Sequence, residues 1–253
     1  MIVDPFEPPP SVTTGDDAPA PYVGPFDREA WPDKLVAHAV APGDDARIHG
    51  YAVAGDLARH YGVADVAWLS LRGELPTVRE RAAFEVALVL LAPVHIGQAP
   101  SHAAFLSRIA GAPPSATIAI GAVGLGEQAA AERTALAPWL AWLDAPSGPV
   151  PACALTTETL DGAAARRWLD GQLRDWFGAD RGLPFAPLSR AACALAVLHR
   201  LGLHDPLVAE AIAVWARLPS VIAEAAPATA AAVRGYPARL PDYQYIDDRG
   251  ATP

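Results

Sequence analysis

Several side chains in this chain have types and spacings that could carry chemistry. His95 and His102 stand on either side of a helix start, but neither has a carboxylate neighbour at ligand spacing, so a zinc site is not expected. His199 and His204 flank a helix end, where attraction to the terminal carbonyls accounts for them. Gly121, Gly124 and Gly126 have the order GxxGxG with no strand before them, which favours helix packing over a phosphate-binding loop. Cys153 and Cys193, the two cysteines, sit in apolar sequence. They can build neither a disulfide framework nor a four-ligand zinc site, and a reducing cytoplasm is expected. No nucleophile elbow, Walker loop or HExxH occurs, and neither metal nor resident cofactor is expected.

Composition narrows the partners. The chain has 253 residues, 52% of them hydrophobic and 19% charged, with a formal net charge of −9. That is enough apolar chain to bury a substantial core, so general disorder is excluded. The arginines are scattered among acids and lysine is nearly absent, so no basic stripe exists to hold a nucleic-acid backbone. The richest apolar stretch, Ala82 to Ile96, is too short to span a bilayer and contains Glu85, Pro93 and His95. With no basic region leading into an apolar one at the N-terminus, neither export nor a membrane partner is expected.

The elements that must position these side chains are nearly all helical. Residues 1–30 form a Pro-rich acidic arm, residues 31–233 a helical domain, and residues 234–253 an extended tail with Pro237, Pro241, Tyr243 and Tyr245. Lys34 to Tyr51 alternates around Pro42-Gly43-Asp44-Asp45, which predicts a small hairpin. Short helices are expected over Val53 to Tyr61 and Ala64 to Leu71. A longer one runs from Thr77 to Leu91, where Thr77 and Glu80 make a capping box and Phe84, Ala87, Leu88 and Leu91 share a face. Helices over Ser101 to Ala110 and Ser115 to Ala131 are rich in small residues and read as central. Further helices are predicted over Thr134 to Leu143, Gly162 to Phe177, Pro187 to Leu201, Pro206 to Arg217 and Pro219 to Val233. In the second of these, Trp168, Leu169, Leu173, Trp176 and Phe177 make the heaviest apolar stripe. Gly202 is expected in the left-handed position after the helix ending at Leu201.

The order of these pieces resembles the citrate synthase and citryl-CoA lyase superfamily. The resemblance rests on Gly50-Tyr51 after the hairpin, the turn Leu71-Arg72-Gly73-Glu74-Leu75-Pro76-Thr77, His95 ahead of Pro100-Ser101, and the tail Arg239-Leu240-Pro241-Asp242-Tyr243-Gln244-Tyr245. It covers roughly Trp31 to Tyr245, and the chain length matches the short, lyase-like members. It implies an all-α, citrate-synthase-like helical fold with a small N-terminal β-hairpin and an extended C-terminal tail. It also implies a homodimer, or a heteromer with a related subunit, acting on an acyl-CoA and a 2-oxo acid such as oxaloacetate. His95, Ser101 and Arg239 match the positions that hold substrate. In the family a carboxylate removes the thioester α-proton while a His donates to the developing enolate, because so weak an acid needs base and donor together.

The sequence departs from that pattern where the chemistry lies. Gly126-Glu127-Gln128-Ala129 stands where the family has a His-Gly-Gly-Ala segment. Nothing between Pro149 and Asp161 resembles the second catalytic His segment. Leu183 to Ala191 contains no acid where the family has Pro-x-Asn-x-Asp-Gly. Ala223-Glu224 replaces an Ala-His, and His49 replaces an Arg. Two readings follow: an enzyme with an altered site in which Glu127 is the catalytic acid or base, or a catalytically silent partner subunit or ligand-binding module.

Overall fold

A computed structural model describes residues 36–156 and 162–229 of the chain. The N-terminal arm, Arg239 and the C-terminal tail lie outside the described residues. The chain divides after His38 into two compact units, and every element below belongs to the second.

Three strands of two residues each, β1 (Val40–Ala41), β2 (Arg47–Ile48) and β3 (Tyr51–Ala52), form an antiparallel meander in the order β1-β2-β3. Val40 pairs with Ile48, and Ile48 with Tyr51. The predicted hairpin is therefore present, extended by one strand. Between β2 and β3 the corner residues His49 and Gly50 have φ of +47° and +89°, the pair of left-handed conformations that lets a two-residue turn follow the strand twist. A π-helical segment, Val53–Leu57, then leads into α1 (Ala58–His60).

The remaining described elements are α2 (Val63–Arg72), α3 (Val78–Leu91), α4 (Ala99–Ile109), α5 (Pro114–Ala135), α6 (Ala137–Asp144), a 3-10 turn at Ala152–Ala154, α7 (Gly162–Phe177), α8 (Arg190–Arg200) and α9 (Pro206–Ala225). α3 starts on the predicted capping box. The Glu80 amide donates to the Thr77 hydroxyl at 3.3 Å, and the Thr77 amide donates to the Glu80 carboxylate at 2.8 Å. Phe84, Ala87 and Leu91 are buried as their spacing requires, with Leu88 half-buried. Gly202 takes φ +70° after α8.

Two hydrophobic clusters hold the helices. The larger gathers Trp68, Phe84, Trp139, Leu173 and Leu198 from α2, α3, α6, α7 and α8. Trp68 meets Phe84 edge-on at 5.6 Å between ring centroids, and the Trp139 indole N–H donates to the Ala192 carbonyl at 3.0 Å. The smaller cluster joins Val94, Ala104, Leu125, Val221 and Ala225 where α4, α5 and α9 meet. α5 runs antiparallel to both neighbours. Its Gly121 faces Ala104 of α4 and Val221 of α9, and its Gly124 faces Pro100. Nearer its C-terminus, Glu132 pairs with Arg217 and Arg133 with Glu210 of α9. The glycine spacing is thus a packing device at Gly121 and Gly124, whereas Gly126 has nothing within 4 Å of a Cβ position.

Four boundaries and faces differ from expectation. The two helices predicted over Pro206 to Arg217 and Pro219 to Val233 are, up to Ala225, one helix with Pro219 inside it. An internal proline costs roughly 3 kcal/mol, but burial of Ile212, Ala213, Val221 and Ala225 on both sides of it carries the helix through. α8 starts at Arg190 rather than Pro187, because Leu188 is drawn into a bridge with Leu155 and the Ser189 hydroxyl caps Ala192. Thr134 lies in the last turn of α5, its hydroxyl bonded to the Ala130 carbonyl, and α6 begins only at Ala137. On α7, Leu169 and Leu173 are buried, but Trp168 is 54% exposed, since the helix presents a narrower face to the core than its apolar residues would cover.

Among the described residues, α9 is long and apolar enough to cross a membrane, with a mean hydropathy of 1.4 over its best 18-residue window. Its Glu210 and Arg217 are tied to α5 and its inward apolar residues serve both clusters, while 28% of that window is buried, so the helix is only partly covered among the described residues.

The glycine contacts predict opposite outcomes within one helix. Gly121→Val drives side-chain carbons into Val221, whose Cγ1 already lies 2.9 Å from a Cβ at that position, and is expected to cost about 1–3 kcal/mol by urea unfolding. Gly126→Ala meets nothing and should raise stability by up to about 1 kcal/mol. Thiol chemistry checks the core. Burial pushes the Cys193 thiol up to about 12 against the weaker pull of Arg166, while Cys153 is exposed. A thiol reagent should titrate one cysteine promptly in native buffer and the second only on unfolding; two prompt thiols would contradict this packing.

Candidate functional site

The α4 N-terminus carries two of the residues that the sequence singled out. The turn ahead of it, His95 to Gln98, closes on itself. The Gln98 amide donates to the His95 carbonyl at 3.0 Å, the His95 amide to the Gln98 side-chain oxygen at 3.2 Å, and the Gly97 amide to His95 Nδ1 at 3.1 Å. The imidazole of His95 is exposed. Ser101 lies one turn further in, with no exposed surface, and its hydroxyl donates to the Val94 carbonyl at 3.5 Å. It fastens the entry to α4.

Glu127 sits on α5, one turn beyond the Gly124 that packs against Pro100, so the fold brings its helical turn to the α4 N-terminus. Its carboxylate is exposed. Glu224, the other acid in a plausible place, is half-buried near the end of α9. Arg239 lies outside the described residues.

The segment Leu183 to Ala191, where the resemblance calls for a catalytic acid, is committed to packing. Leu183 and Leu188 are buried, Leu188 bridges to Leu155, the Thr156 amide donates to the Pro187 carbonyl at 2.9 Å, and Ser189 caps α8. His49 stands at the meander corner, with its ring against the α carbon region of Gly73 at the end of α2. Its Nε2 is buried with no hydrogen-bond partner among the described residues.

Sequence reasoning missed a second cluster. Arg166, Asp170 and Arg174 recur at four-residue spacing along α7, and with Arg167, Leu183 and Phe185 they line a cleft of about 340 Å³. The apolar stripe of α7 drew attention away from this face. The i, i+4, i+8 order Arg-Asp-Arg was the available signal. A larger, apolar cleft of about 530 Å³ lies among Ile48, Leu57, Tyr61, Val66 and Trp215.

Comparison with solved structures gives the class. The chain superposes on citryl-CoA lyase from Hydrogenobacter thermophilus with a TM-score of 0.56 at 19% identity, over 86% of this chain and 97% of that one. It is similar to ATP citrate lyase from Methanothrix soehngenii, in complex with citrate and coenzyme A, with a TM-score of 0.55 at 12% identity over 88% of this chain and 43% of that one. An ATP citrate lyase variant from Methanosaeta concilii, in complex with (3S)-citryl-CoA, gives a TM-score of 0.55 at 13% identity and the same coverage of 88% and 43%. The protein therefore has a citrate-synthase-like helical fold, as the sequence implied. The likeness is one of fold, to citryl-CoA lyase over nearly its whole length and to less than half of ATP citrate lyase. No protein-family model matches the chain, and no curated protein matches it by sequence.

The histidines at the end of α8 give a pH test. His199 Nε2 lies 3.0 Å from Asp144 Oδ1, and its ring centroid is 5.3 Å from that of His204. Burial lowers the His199 pKa from the ordinary 6.5 more than Asp144 raises it, and His204 and Arg200 lower it further. The charged ring that a helix-dipole role needs is thus opposed by its surroundings. A His held neutral in the folded state contributes stability above the unfolded pKa that is lost as pH falls below it. Stability should fall from pH 7 towards pH 5.5, and His199→Gln should flatten that slope in urea titrations.

Proposed function

We propose that this protein is a citrate-synthase-like subunit that binds an acyl-CoA and a small carboxylic acid without catalysing their reaction by the usual route. The observation that carries this reading is the segment Leu183 to Ala191, which has no acid and whose two leucines, Leu183 and Leu188, are buried in the core instead. Two further losses, the His of the Gly126 to Ala129 segment and the His expected between Pro149 and Asp161, remove the enolate donor and the group that polarises the keto acid. Base and donor are needed together for a thioester α-proton, so their joint loss is more telling than any single one. A silent subunit would act in the cytoplasm, as a homodimer or alongside a related active chain.

One observation favours the enzyme reading, in which the altered site still makes or breaks a carbon–carbon bond between an acyl-CoA and a 2-oxo acid. The contact of Gly124 with Pro100 sets α5, which carries Glu127, against the start of α4, which follows His95 in sequence. There an acid and an imidazole donor would divide the work of base and polarising group.

Thermal shift against acetyl-CoA, oxaloacetate and citrate, with a turnover assay on the chain alone, separates these readings. A ligand held only by the folded state raises the melting temperature. A shift with a CoA ester and with an acid, but no turnover, is the expected result. Turnover that Glu127→Gln abolishes would establish the enzyme instead, and no shift with any of the three would reduce the chain to a scaffold.

A further inference from the structure

The cleft on α7 is a built cationic site in which some charged side chains hold the loop and others are left over. Its floor is a clamp between α7 and the loop after it. Arg174 donates to Asp170 at 3.0 Å and to the Ala179 carbonyl, Arg166 donates to the Pro184 carbonyl at 2.9 Å, and the Leu183 amide donates to Asp170 at 2.8 Å. Gly182 lies so close beneath that a Cβ there would overlap Asp170 and Arg174. These contacts fix the loop before any ligand arrives, which lowers the cost of binding.

The clamp presents two kinds of group to solvent. One is cationic: Arg167 is exposed, with no hydrogen bond or ion pair among the described residues, and Arg166 and Arg174 keep guanidinium N–H groups that the clamp leaves over. The other is aromatic. Phe185 is 99% exposed, with the Arg166 guanidinium carbon 4.8 Å from its ring centroid. Leaving a Phe fully in water forgoes the gain of burying it, so packing does not account for it. The lone carboxylate of the cleft, Asp170, already accepts bonds on both oxygens. Three arginines thus face one satisfied acid, in a chain of net charge −9.

We propose that this cleft binds a phosphate ester carried on a flat ring, that is, a nucleotide. Guanidinium forks match phosphate oxygens in pairs, and the open face of Phe185 stacks on the ring. A small carboxylate would engage the arginines but leave Phe185 in water. Free nucleotides and the nucleotide end of a CoA ester share this chemistry, and the inference stands whether or not the acyl-CoA reading above holds.

Calorimetric titration of the full chain with AMP, CoA and inorganic phosphate tests it. AMP should bind more tightly than phosphate. Arg167→Ala and Phe185→Ala, both at exposed positions, should each weaken AMP by roughly tenfold, as loss of a stacking or ionic contact does, with the melting temperature unchanged. Tighter binding of CoA than AMP would assign the site to the ester, and tighter binding of AMP to a free nucleotide. No binding of AMP or CoA, or binding that both variants retain, would overturn the proposal.

Discussion

The fold depends on how closely α5 can approach two neighbours at once. At Gly121 the backbone of α5 comes so near Val221 that a single methyl group has no room, and at Gly124 it rests against the backbone of Pro100. Removing two side chains brings three helices into contact around Leu125, which is fully buried. Glycine in a helix costs about 1 kcal/mol against alanine. Dispersion attraction between the α5 backbone and Val221 on one flank and Ala104 and Pro100 on the other offsets that cost.

The same helix then changes its means of adhesion. Towards its C-terminus, α5 holds α9 by charge. Arg217, only 5% exposed, pairs with Glu132 at 2.6 Å and donates to the Leu91 carbonyl at 3.3 Å, which brings α3 into the junction. Glu132 also accepts from Gln128 at 2.8 Å. A buried guanidinium is tolerable when its charge is matched, and here Nε and one Nη are bonded while Nη1 has no partner among the described residues. Here the pairing also fixes the register in which α5 and α9 meet, since Arg133 finds Glu210 one step further on.

Much of this was legible in the sequence, for identifiable reasons. The Thr77–Glu80 box and the face of Phe84, Ala87 and Leu91 are local patterns and came out as read. The glycine spacing was readable as packing because no strand preceded it. What failed depended on distant partners. Pro219 signals a break to any local rule, and only the packing of α9 overrides it. Trp168 is apolar and on the expected stripe, yet it is 54% exposed. The arginine clamp was hidden for a related reason. Its spacing along α7 is visible, but Gly182, Leu183 and Phe185 come from a loop whose path no periodicity describes. Glu127 and His95 were found through order along the chain, which carries no information on exposure.

Pro219 has a mechanical consequence as well. It stands on α9 between the residues that serve the larger cluster, Ile212 and Ala213, and those that serve the smaller, Val221 and Ala225. Lacking an amide hydrogen, it leaves the Trp215 carbonyl without its usual helical donor, so the rod joining the two cores is softest at the point where it passes from one to the other. The two clusters are thereby joined by one helix that is short of a hydrogen bond at the turn between them.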